Sequence, residues 1–239
     1  MKILCIGNSF SSDATRYLQK VGGGELYVRN LYIGGCSLET HYNNIVENNQ
    51  FYDYQIDDEY VRKAAIEETL LEDEWDFVTI QQVSHFSGME ETYEPYMTHI
   101  INFVRSKCPK AEIVFHRTWA YDDKSTHGGF ASYDNDRKKM YNAIIAASTK
   151  HASNHGLRII PCGDAIELAR DLDEFRPGAA LNMNRDGFHL SLDYGRYLAA
   201  LTMYGFFTKK SPLDVTYEPD GTDAKINKKL KEIAHRITM

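Results

Sequence analysis

Four short stretches of this 239-residue chain carry groups suited to attack on a carbonyl. IGNSFSSDA places Ser9 directly after an apolar run, IGGCS places Gly34 and Gly35 after another, and IQQVSHFSG places Gln81 and Gln82 after a third. Far downstream, NRDGFHLSL sets Asp186 three residues before His189. A serine hydroxyl is a poor nucleophile until a base takes its proton, and neutral imidazole has a suited pKa. That imidazole needs a carboxylate on its other nitrogen to fix its tautomer and stabilise the imidazolium. Asp and His three apart in a loop can make that contact locally. A backbone N–H at Gly34–Gly35 and a glutamine amide would supply donors for the developing oxyanion. Each stretch also has a bland reading: Ser9 as a helix cap, the glycines as a turn, either glutamine as a turn-stabilising side chain, and DxxH as a chance spacing. Their joint placement argues for the chemistry.

That placement comes from the elements around them. The runs 2–7, 25–33, 76–81, 111–118 and 157–163 are short and rich in β-branched and apolar residues, as expected of strands covered on both faces. Helical patterns lie between and after them at 13–21, 58–73, 94–107, 134–155, 192–208 and 223–237. In 94–107 the apolar residues Tyr96, Ile100, Ile101 and Val104 recur at helical spacing, and Cys108-Pro109 closes the segment. Ser191 is a suitable cap for the helix over 192–208. Strand–helix alternation predicts a single α/β domain over 1–239, a three-layer α/β/α sandwich on a parallel five-stranded sheet. In such folds sites form at the carboxyl ends of strands, where strand order reverses. Ser9, Gly34–Gly35, Gln81–Gln82 and Thr118-Trp119 all follow strands. The Asn- and Tyr-rich stretch from about 40 to 75 reads as a surface excursion followed by a solvated helix.

At this point the chain resembles the SGNH (GDSL-type) hydrolase superfamily, esterases and deacetylases on a flavodoxin-like fold. The likeness runs from Gly7 to about Ala200. It implies Ser9 as nucleophile, His189 as general base and Asp186 as its orienting acid. The N–H groups of Ser9 and Gly35, or Gly34, would form the oxyanion hole. Two blocks depart from the usual pattern: GNSF stands where many members have GDS, and the third block lacks G-x-N-D. Gln81 or Gln82, each one methylene longer than asparagine, would be the third donor. The resemblance implies catalysis without metal or cofactor, on a small-molecule or carbohydrate ester, with acetyl the expected acyl group. Asn8, Gly34 and Trp119 are the candidate pocket residues; packing is the default reading of the indole, and a platform for a sugar ring or acyl chain is the alternative. A non-catalytic relative binding a glycan or peptide in the same pocket is the alternative.

Composition narrows the partners. Lys+Arg 27 against Asp+Glu 34 gives a net charge of −7, which repels phosphate backbones, so no nucleic-acid partner is expected. No apolar run is long enough to span a bilayer. No GxGxxG or GxxxxGK[ST] follows a strand, which argues against nucleotide binding. Cys5, Cys36, Cys108 and Cys162 form no CxxC pair and read as buried free thiols. With Met1 as the start and a strand immediately after it, a cytoplasmic location is expected; removal of a signal peptide would make it secreted. His151 and His155 share a helix face at metal-binding spacing but have no accompanying HExxH glutamate, so a solvated face is expected there.

Overall fold

The computed structural model describes residues 1–239. In chain order the elements are β1 (Lys2–Gly7), α1 (Ser9–Thr15), α2 (Leu18–Val21), β2 (Tyr27–Tyr32), α3 (Leu38–Val46), β3 (Tyr52–Ile56), β4 (Glu59–Ala64) and α4 (Ile66–Leu71). They continue with β5 (Phe77–Ile80), α5 (Tyr96–Lys107), β6 (Glu112–His116), α6 (Arg137–Asn154), β7 (Arg158–Ile160), α7 (Cys162–Ala169), α8 (Tyr194–Thr208) and α9 (Ala224–Thr238). The strands form one sheet in the order β4-β3-β2-β1-β5-β6-β7. Its five-stranded part, from β2 to β7, is parallel, and helices cover both faces.

The sheet has seven strands, two more than expected. The extra pair, β3 and β4, is an antiparallel hairpin added beside β2, in the stretch read as excursion and helix. Only Ile66–Leu71 of the expected 58–73 helix is helical. The miss has a physical cause. Five of the six residues of β4 are wholly or partly exposed at the sheet edge, so no buried face imposes a period of two on its sequence. Glu59, Arg62 and Lys63 put charges along that edge, which discourages pairing with another chain. The helix expected over 13–21 is also broken, with α1 ending at Thr15 and α2 starting at Leu18. Asp193, not Ser191, is the N-cap of α8, accepting from Tyr194 N–H; the Ser191 hydroxyl instead accepts from Gly195 N–H at 2.9 Å.

Side-chain alternation along the strands divides the interior in two. Ile3 and Cys5 face the layer of α1, α2, α7, α8 and α9, whereas Leu4 and Ile6 face that of α3, α4 and α5. Being buried on both faces is what makes β1 read as a continuous apolar run. The chain leaves β1 for β2 on one side and later returns to β5 on the other. The reversal of strand order therefore falls at β1, and the crevice above its carboxyl end opens there. No helix is long and apolar enough to cross a membrane.

Two fully buried histidines brace this edge. His41 on α3 meets the Tyr52 hydroxyl at 2.7 Å, and His116 at the end of β6 donates from Nδ1 to the Gln81 carbonyl at 2.9 Å. Burial pushes both imidazoles down to about 3. Each stays neutral in the fold while its unfolded counterpart binds a proton near the ordinary value of 6.5. Between those limits the unfolded chain holds more protons, so stability falls as pH falls. Two such groups cost roughly 2.7 kcal/mol per pH unit across that window. Urea denaturation at pH 7, 5.5 and 4.5 should show a slope of at least this size, and His41→Gln should reduce it by about 1.4 kcal/mol per pH unit. A flat profile would show that these imidazoles titrate normally.

Candidate active site

Ser9 opens α1 at the carboxyl end of β1, with Asn8 as N-cap. Its hydroxyl lies 2.9 Å from His189 Nε2, and His189 Nδ1 lies 2.7 Å from Asp186 Oδ2. A carboxylate only accepts, so Nδ1 carries the proton and Nε2 is free to accept from the serine. Asp186 Oδ1 also accepts the N–H groups of His189 at 2.8 Å and Phe188 at 3.2 Å, folding the tetrapeptide into a tight turn. Gly187 holds φ +88° at its centre, and a Cβ there would stand 2.7 Å from Ser125 Cα. Only glycine meets both demands. Burial alone would raise the Asp186 pKa, but the His189 ring and the two turn N–H groups outweigh it and hold the carboxyl below its ordinary value.

Ser9 and His189 face a cleft of about 260 Å³. Its wall includes Asn8, Ser9 and Phe10 from the first block, Tyr32, Gly34 and Gly35 from the second, Ser84 and His85 from the third, and His127 from the loop after β6. No Asp, Glu, Lys or Arg lines it. Ser9 N–H and Gly35 N–H have no acceptor within the chain, and Gly35 sits at φ +65°. Such an arrangement can deprotonate a hydroxyl, attack a carbonyl carbon and receive the resulting negative charge on backbone donors.

Three of the expected pocket or donor roles are corrected by the geometry. Gln81 is buried behind the cleft, its Nε2 donating to Asn8 Oδ1 at 2.8 Å while its carbonyl accepts from His116. Asn8 in turn donates to Cys36 O at 3.0 Å and accepts from Phe10 N–H. The relay His116, Gln81, Asn8, Cys36 thus ties the ends of three strands to the turn after β2. Gln82 caps α3, accepting from Leu38 N–H at 3.0 Å, and donates to Thr92 O at 2.9 Å. Neither amide is directed to the cleft. Trp119 is fully buried, stacked on Phe10 at 4.3 Å, and donates from Nε1 to Phe188 O at 2.7 Å. It supports the histidine loop from beneath and does not line the cleft. His116 and Arg117 are likewise buried, Arg117 against Asp164. His85 reaches the cleft without a carboxylate partner, and His155 pairs with Glu94 at 2.7 Å.

One buried residue holds the two halves together. Asp13 on α1, 1% exposed, accepts from Leu190 N–H at 2.8 Å, from Arg185 at 3.0 Å and from Arg196 at 2.7 Å. Arg196 also pairs with Asp58 in the turn between β3 and β4 at 3.1 Å. One carboxylate therefore locks the serine helix, the His189 loop and α8 in register, with the added hairpin behind. Its sequence signal is faint, an acid just past the first turn of a short, serine-rich helix.

Fold and site together define a three-layer α/β/α protein with a serine–histidine–aspartate relay at the strand-order reversal. Two solved structures share this fold at low identity: a proposed SGNH hydrolase from Slackia heliotrinireducens (22% identity, TM-score 0.60, covering 85% of this chain and 97% of that one) and an acetyl xylan esterase (15%, 0.57, 86% and 98%). A family model described as "Domain of unknown function (DUF4886)" matches residues 2–237. A DUF4886 family protein from Bacteroides uniformis ATCC 8492 is 38% identical, with TM-score 0.91 over 99% of this chain and 93% of that one. The chain belongs to the DUF4886 family. No curated protein sequence matches it.

Removing a buried carboxylate leaves its cationic partners uncompensated, which typically costs about 3–5 kcal/mol. Asp13→Ala should lose that much in urea denaturation. Arg185→Ala should lose less, because Arg185 is partly exposed and Asp13 keeps Arg196. An Asp13→Ala loss under about 1 kcal/mol would show that the clamp carries no load.

Proposed function

We propose that this protein is a serine ester hydrolase acting on small acyl esters, with acetyl groups on carbohydrates the best fit. The observation that carries this reading is the unbroken path Asp186–His189–Ser9, with Ser9 and Gly35 N–H groups free beside it. His189 Nε2 takes the Ser9 proton as Oγ bonds to the ester carbon. The tetrahedral oxyanion receives the Ser9 and Gly35 N–H donors, and no glutamine amide is needed in this scheme. Collapse expels the alcohol, which takes its proton from His189. Water, deprotonated by the same imidazole, then attacks the acyl-serine and the acid departs. Asp186 keeps its charge and orients the ring throughout. The small cleft supports a short acyl group, its neutral wall supports an uncharged substrate, and the acetyl xylan esterase of the same fold acts on an acetylated carbohydrate by its name.

Ser9→Ala and His189→Ala should each cut kcat/KM for p-nitrophenyl acetate by roughly 10⁴-fold or more, with thermal unfolding within a few degrees of the parent. Asp186→Asn should be impaired less completely than either. A fluorophosphonate probe should label Ser9 in the parent and fail in Ser9→Ala. Most activity surviving in either variant sinks the assignment. Folded protein that neither reacts with the probe nor cleaves esters is instead a glycan- or peptide-binding relative.

A further inference from the structure

The acyl-transfer scheme leaves an imidazole beside the reacting centre without a part. His127 reaches the cleft from the loop after β6, and its ring is held on several sides. His85 stacks on it at 5.6 Å, Tyr121 lies at 4.9 Å and Phe188 at 5.0 Å. Gly129 N–H donates to Nδ1 at 3.0 Å, so the neutral ring carries its hydrogen on Nε2. That close turn requires glycine, because a Cβ at 129 would stand 2.3 Å from His85 Cβ and 3.2 Å from His127 Nδ1. Burial chiefly, with help from nearby His189 and against Asp186, lowers the His127 pKa, which favours the neutral ring at pH 7. The result is a rigid, uncharged N–H donor that has no acceptor in the chain.

Its place in the cleft assigns it to one half of the substrate. The carbonyl oxygen must sit by Ser9 N–H and Gly35 N–H, whereas the departing alcohol oxygen must reach His189 Nε2. His127 and His189 share Phe188 as a neighbour, at 5.0 and 4.1 Å, which puts His127 beside the general base that the departing alcohol must reach. We propose that His127 is a specificity-determining residue whose Nε2–H donates to an oxygen next to the ester on the leaving alcohol, so that neutral polyhydroxylated alcohols are preferred to plain ones. This rests on the Ser9 esterase reading and adds to it the group that reads the alcohol.

The test compares two acetyl esters on the full-length protein: an acetylated methyl glycoside with a free neighbouring hydroxyl, and p-nitrophenyl acetate, whose leaving phenol has none. His127→Phe keeps an aromatic ring and removes the donor. It should lower the ratio of kcat/KM, glycoside over aryl ester, several-fold and up to about tenfold, with most of the change in KM for the glycoside; one hydrogen bond of ordinary strength is worth that factor. His127→Gln, which restores an N–H, should recover part of the ratio, and aryl ester turnover reports that both variants are folded. An unchanged ratio, equal losses on both esters, or a parent that cleaves the aryl ester but no acetylated glycoside overturns the role given to His127. Failure of the esterase reading looks different: Ser9 is then unlabelled by fluorophosphonate and the parent cleaves neither ester.

Discussion

A buried carboxylate on the first helix joins stretches of chain more than 170 residues apart. Asp13 binds Arg185, Leu190 N–H and Arg196 at once, and the loop between the first and last of these carries Asp186 and His189. The hydroxyl–imidazole distance of 2.9 Å exists because α1 and that loop have a common anchor. Other ties only refine it: Trp119 and Asn184 donate to Phe188 O, and Asp122 N–H donates to Gly187 O at 2.7 Å. Burying a carboxylate is costly unless it is fully paired. Here the pairing is complete, with two guanidinium groups and a backbone N–H, so the same group that would weaken an apolar core fixes the geometry of a site.

A second polar chain performs the equivalent service for the opposite wall. His116, Gln81, Asn8 and Cys36 O link the ends of β6, β5, β1 and the turn after β2 in one line of hydrogen bonds. Buried amides that satisfy each other in this way rigidify what they join. The consequence is a cleft whose edges are set by backbone and neutral side chains, with charges kept outside it or locked beneath it. Its shape follows from these ties more than from any single lining residue.

The parallel core of the fold was legible because burial on both faces stamps the strand sequences. KILCIG and DFVTIQ read as strands for the same reason that they sit centrally. The hairpin was not legible, since an edge strand meets solvent and owes no period to a core. Within the site, Ser9, Asp186 and His189 could be picked out by residue type and by position after a strand or in a tight turn. Asp13, Tyr32 and His127 could not, because an acid in a helix, a strand tyrosine and a loop histidine have many uses.

Glutamines 81 and 82 mark the boundary most clearly. An amide can donate or accept, and the chain alone shows only that two of them follow a strand. Which partners they take depends on His116, Asn8, Leu38 and Thr92, all distant in sequence and brought near by packing. The sequence by itself determined the layer architecture, the acidic net charge, and the local turn that pairs Asp186 with His189, since each depends on composition or on neighbours along the chain. Tertiary structure alone decided that the Ser9 hydroxyl meets that imidazole, that both glutamines turn away from the cleft, and that Trp119 lies beneath it, because those outcomes depend on contacts between segments that no local pattern encodes.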